Sequence, residues 1–214
     1  IRGARRGNSS QNILQKFFIV LTAVLRVLLW PLRRLVHILF PMKNVDSDKA
    51  ARDFVSYFRR NFQYGDFATS GYQSTLTQVQ QQQKLLLIYL HSPLHAESTS
   101  FCRDKLSLLL LQMTSSHILT CYGASIHSAD GNQVAQQLNA TQYPHLAIVS
   151  VKSSNNNTNN SSSHSITLEL HLQIFGKALL SANMAMLSQY INSICSRQET
   201  VLAEAVMRRL QLEE

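Results

Sequence analysis

The chain has 214 residues, 45% of them hydrophobic and 15% charged, with a formal net charge of +8. Three widely spaced cysteines, Cys102, Cys121 and Cys195, exclude a disulfide framework and a C-x-x-C metal knuckle, and point to a reducing setting. Seven glycines in the whole chain leave little from which to build a phosphate-cradling nucleotide loop.

In chain order, residues 1–12 read as a flexible basic tail and residues 13–42 as a membrane-inserting segment. Its centre, Phe17–Phe40, has 24 positions, which as a helix would reach about 36 Å, enough for a bilayer core of about 30 Å. Arg26, Arg33 and Arg34 interrupt it, and an arginine near the bilayer centre costs about 3 kcal/mol. A plain span is therefore disfavoured. At about 100° per residue, Lys16, Arg26, Arg33 and Arg34 fall on one narrow stripe, suited to lipid headgroups. Phe17, Phe18, Leu21, Leu25, Leu28, Leu29, Leu32, Leu39 and Phe40 form the broad apolar face expected to insert, with Trp30 intruding on the stripe. Pro31 kinks or breaks a single helix. Two arms meeting there make a shallow hairpin, with arginines snorkelling to phosphates; a single in-plane amphipathic helix is the alternative.

Residues 1–60 hold 12 of the 20 Lys and Arg but only three acids, a balance of +9, whereas residues 61–214 balance at −1. The cations are interleaved with leucines, so anionic lipid headgroups explain them and nucleic acid does not.

Asp46 or Ser47 can cap a helix over residues 50–62 with Phe54, Val55 and Phe58 inward. A break over Gly65–Gly71 leads to a short polar helix, Ser74–Gln83. Leu85–Leu90 is a continuous apolar run, predicting a strand buried on both faces. A helix follows over Ser98–Met113, then a strand over His117–Tyr122, a loop over Gly123–Gly131 and a short helix over Gln133–Leu138. Leu146–Val151 is a third strand, the Asn/Ser-rich 153–165 a flexible loop, and Ile166–Ile174 a fourth strand closing a hairpin. A helix over Leu179–Ile194 ends the domain, placed at 46–196, and residues 197–214 start a charged helix.

Helices between the first three strands imply a parallel β-α-β unit, and the hairpin adds antiparallel strands. The predicted class is α/β, thioredoxin-like. Tyr143-Pro144 stands directly before the third core strand, making Pro144 either a structural cis-proline or an ordinary trans strand opener. Dithiol chemistry needs two cysteines two residues apart at a helix start. This chain has His91-Ser92-Pro93-Leu94-His95 there, and Cys102 has no partner at Thr99 or Lys105. A C-x-x-C exchange is excluded; a lone peroxidatic Cys102 is the enzymatic alternative to a structural thiol. His91 and His95 flank Pro93 with no third ligand nearby, so no metal and no cofactor are expected, and no catalytic residues.

The segments KLLLIYLHSPLHAESTSFCRDKL and NQVAQQLNATQYPHLAIV, set between an insertion segment and a closing helix, resemble the membrane-anchored UBX-domain proteins of the Fas-associated factor family. LLLIYLH…FCRD and Gln142-Tyr143-Pro144 followed by LAIV are similar to that family's UAS domain. The resemblance covers roughly residues 13–200 and implies a monotopic hairpin with both ends in the cytosol, on the endoplasmic reticulum and the lipid-droplet monolayer. It implies a redox-inactive thioredoxin-like UAS domain in an adaptor for endoplasmic-reticulum-associated degradation. Its UBX domain would recruit the valosin-containing AAA ATPase, and its UBA domain would meet ubiquitinated clients; neither lies in these residues. A long-chain unsaturated fatty-acid ligand with self-association is the further implied property.

Overall fold

A computed structural model describes residues 46–63, 66–113, 117–154 and 165–213. Helix α1, Ser47–Phe62, is capped by Asp46, whose carboxylate accepts from the N–H groups of Asp48 and Lys49 at 3.1 and 3.3 Å. Ala51, Phe54, Val55, Phe58 and Phe62 make one buried stripe at helical spacing, and Gln63 closes the helix in the left-handed region with φ 58°. Helix α2, Tyr72–Gln81, buries Tyr72, Thr75, Leu76 and Val79.

Strand β1, Leu85–His91, is buried at every position, as its unbroken apolar run predicts. Alternation divides its side chains between two cores. Leu85, Leu87 and Tyr89 join Phe54, Phe58, Phe101, Leu106 and Ile191, while Leu86, Ile88 and Leu90 join Tyr72, Leu76, Tyr122 and Val134. The sheet is thus the middle of three layers.

After β1 the predicted single helix begins earlier and is interrupted. Helix α3, Ala96–Phe101, passes through a π-helical turn at Cys102–Leu106 into α4, Ser107–Met113. Strand β2, Leu119–Ser125, runs three residues past its predicted end. Gly123 pairs with Tyr89 within the strand, and only glycine fits there: a Cβ would stand 2.3 Å from Phe54 Cε1 and 3.0 Å from Phe67 Cδ1. Helix α5, Ala129–Gln137, starts four residues before its predicted start, where Ser128 Oγ accepts from the Gly131 N–H at 3.0 Å.

Strands β3, His145–Ser154, and β4, Ser165–Phe175, complete a four-stranded sheet of order β2-β1-β3-β4. β1 and β2 are parallel, as the β-α-β pattern requires; β3 is antiparallel to β1, and β4 to β3. The parallel expectation therefore ends at β2. The chain re-enters beside the end it left, His145 pairing with Leu90. The Tyr143–Pro144 peptide is cis. Helix α6, Gly176–Ser181, and helix α7, Met184–Glu213, follow, and α7 continues without a break through Ser196 and Arg197, where a boundary was predicted. Strand order, mixed direction and the proline ahead of β3 make this a thioredoxin-like α/β fold.

Candidate functional site

The carboxyl end of β1 is where a thioredoxin-like sheet presents its chemistry, so the site is built from Tyr89, His91 and the chain that follows. Tyr89 and His91 are two apart and share the face towards α1 and α3. There Tyr89 Oη lies 2.9 Å from Cys102 Sγ and 3.1 Å from His91 Nδ1, with 3.7 Å between sulfur and Nδ1. The π-helical turn begins at Cys102 and brings its thiol onto the strand.

All three groups are held neutral. Burial pushes the Cys102 thiol up to about 12, although the Tyr89 hydroxyl pulls the other way. Burial also holds the Tyr89 hydroxyl well above its ordinary range, and it lowers the His91 imidazole from 6.5 to about 4. A nucleophilic cysteine needs a thiolate in an electropositive setting; this one is a buried thiol beside a neutral imidazole. The arrangement that satisfies most partners has the thiol donating to Tyr89 Oη and the phenol donating to His91 Nδ1. His91 then carries its proton on Nε2, which is buried and has no partner. A buried donor without a partner costs about 1–3 kcal/mol.

Over His91 lies a cleft of about 440 Å³. Ala50, Ala51, Asp53, Phe54 and Tyr57 of α1 line one side, Tyr122, Gly123, Ala124 and Ser125 of β2 with His127, Ser128 and Asp130 the other, and His91 and Pro93 complete it. Below it Asp130 Oδ2 accepts from the Tyr72 N–H at 2.9 Å, from Tyr122 Oη at 3.2 Å and from the Ser47 hydroxyl. Asp48 Oδ1 accepts from the Gly71 N–H at 2.6 Å. Two carboxylates thus tie the starts of α1, α2 and α5 together, each at a helix N-terminus where anionic charge is favoured.

Cys102 stands seventh in its helical run, not at its start, and Ser92-Pro93-Leu94-His95 occupies the loop a dithiol motif would fill. Leu94 projects from that loop at 80% exposure. His91 and His95 do not converge: His95 Nδ1 pairs with Ser92 Oγ at 2.6 Å and its ring meets Tyr143, while His91 faces the core. Among the described residues no group of three His, Cys, Asp or Glu could hold a metal. The insertion residues Phe17 to Phe40, the headgroup residues Lys16, Arg26, Arg33 and Arg34, and residues 155–164 of the loop predicted over 153–165 lie outside the described residues, while Ser153, Ser154 and Ser165 of that loop belong to β3 and β4. Within them no helix is long and apolar enough to cross a membrane. Sequence reading missed Tyr89, Asp130 and Tyr57. Tyr89 sits in an apolar strand and Asp130 in a presumed loop, and only pairing across the fold brings them to Cys102 and Tyr72.

No protein-family model matches the chain. Plant UBX domain-containing protein 10 of Arabidopsis thaliana is 25% identical over 167 residues, 76% of this chain and 32% of that protein. FAS-associated factor 2 of Rattus norvegicus is 30% identical over 87 residues, covering 40% of this chain and 25% of the relative. This chain is a homologue of those proteins. The homologue matches the human FAS-associated factor 2 likewise, at 28% over 86 residues, 40% of this chain and 19% of that one. It thus matches about a third or less of each of these relatives. Among solved structures, a thioredoxin from Thermus thermophilus aligns with 59% of the homologue and 85% of itself, at 16% identity and a TM-score of 0.42. Thioredoxin O2 from Arabidopsis thaliana aligns with 56% and 84%, at 14% identity and a TM-score of 0.38. The fold of the homologue rests on its own strand order.

Proposed function

We propose that this chain is the non-catalytic, membrane-attached portion of a UBX-family adaptor. Residues 13–42 insert into the cytosolic leaflet of the endoplasmic reticulum or the lipid-droplet monolayer, with Lys16, Arg26, Arg33 and Arg34 at the headgroups. Residues 46–196 form a UAS-type scaffold, and residues 197–214 start a charged helix. The adaptor serves endoplasmic-reticulum-associated degradation and lipid-droplet protein turnover, with the valosin-containing AAA ATPase and ubiquitinated clients engaged through regions outside these residues. The names of the relatives support the adaptor class.

One observation carries the non-catalytic part. The only thiol near the β1 end is buried and pushed up to about 12, in a chain without a C-x-x-C pair. This also opposes the single-cysteine peroxidase reading. Membrane attachment is tested by flotation and carbonate extraction of the chain expressed in cells. Wild type is expected in the extracted membrane fraction, and Arg26→Glu/Arg33→Glu/Arg34→Glu in the supernatant. Recovery of wild type wholly in the soluble fraction would overturn it.

A further inference from the structure

The proposed membrane attachment leaves the cleft over His91 unassigned, and its lining is chemically specific. Ala50, Ala51, Phe54 and Tyr57 present an apolar wall. The imidazole of His91, 1% exposed, supplies the partnerless Nε2. Its Nδ1 is already engaged by the Tyr89 phenol, and its ring, among the residues lining the cleft, stands 6.5 Å from that of Phe54 and 5.8 Å from that of Tyr57 between centroids. Tyr57 is 41% exposed, and its displacement from the His91 ring is the movement that would open Nε2 to a ligand. Charge is the third feature. Asp53 and Asp130 line the cleft, and among the described residues no lysine or arginine does. Asp130 is consumed by its three donors, but Asp53 is exposed and takes part in none of the ion pairs among the described residues.

We propose that this cleft binds a peptide segment in which a large apolar side chain stands beside a lysine or arginine. The apolar side chain fills the space between α1 and β2, the neighbouring cation pairs with Asp53, and a main-chain carbonyl accepts from His91 Nε2–H. A volume of about 440 Å³ admits one or two large side chains. A peptide meets all three demands within adjacent residues. A fatty-acid carboxylate does not, because it would face two carboxylates with no lysine or arginine among the described lining residues.

The test uses the full 214-residue chain, histidine-labelled with ¹³C and ¹⁵N, in neutral maltoside micelles. The probe is the blocked pentapeptide acetyl-Arg-Leu-Trp-Leu-Arg-amide, and the control carries glutamates in place of the arginines. Saturable binding with a shift of the His91 Nε2 resonance is expected. Asp53→Lys is expected to weaken it about tenfold or more, and Ala50→Trp, which fills the cleft from its rim, to abolish the shift. Both substitutions lie on the outer part of α1, and unchanged melting temperatures verify that the fold persists. The proposal fails if saturating peptide leaves His91 unmoved, if both variants bind like wild type, or if the glutamate peptide or oleate competes equally. None of these outcomes depends on membrane attachment, so the adaptor reading stands or falls separately.

Discussion

His91 and Cys102 sit in contact, and both respond to pH through the same cause. The buried imidazole is lowered from 6.5 to about 4. An unfolded chain therefore binds a proton below 6.5 that the folded chain refuses until about 4, so stability is complete above 6.5 and is lost as pH falls towards 4. The span corresponds to about 3 kcal/mol, and His145, lowered by burial as well, adds in the same direction. Urea midpoints measured from pH 7 to pH 4 are expected to fall, and His91→Gln is expected to flatten that fall. The thiol behaves oppositely. Cys102 is raised from 9 to about 12, so stability is complete below 9 and declines as pH climbs towards 12. At neutral pH, Cys102 is expected to resist iodoacetamide in the folded chain and to react at an ordinary rate in urea; equal rates would remove the argument against a redox role.

At the scale of elements, three helix starts meet on one carboxylate. Asp130 joins α5 to the N–H of Tyr72 on α2, the phenol of Tyr122 on β2 and the hydroxyl of Ser47 on α1. Asp130→Ala leaves the Tyr122 hydroxyl, on a side chain only 1% exposed, without its acceptor, at a cost of about 2–3 kcal/mol. Asp130→Asn keeps one carbonyl oxygen and is expected to cost less; chemical denaturation with an unchanged slope measures both. The α1–β2 contact is tighter still. Gly123→Ala drives a methyl group against the Phe54 ring and is expected to cost about 1–3 kcal/mol, partly recovered by Phe54→Leu in the same chain. These elements were only half legible in sequence. The helical spacing of Phe54, Val55 and Phe58 announced α1, and the run Leu85–Leu90 announced a strand covered on both faces. Gly123 read as a turn because glycine is ordinarily a breaker; it pairs with Tyr89 in the strand, and what demands glycine there is a ring from an element about 70 residues away in sequence.

For the molecule as a whole, the long α7 divides into a packed half and a projecting half. Leu187, Ile191, Ile194 and Cys195 are buried, whereas every position from 203 to 211 is exposed. Truncation after Leu202 is expected to change the unfolding free energy by less than about 1 kcal/mol, while truncation before Leu187 removes core side chains and is expected to abolish cooperative unfolding, read by circular dichroism. Composition and pattern alone determined the class of this protein: the order of helices and strands, the doubly buried first strand and the absence of a dithiol pair follow from residue types and their periods. Local physics carries those statements, since the burial demanded by a run of apolar residues does not depend on which partner supplies it. The direction of β3, the neutral Tyr89–His91–Cys102 cluster, the Asp130 junction and the cleft were decided only in the tertiary structure. Each depends on groups far apart in the chain, and no spacing along a sequence encodes a distance that exists only after the sheet has closed.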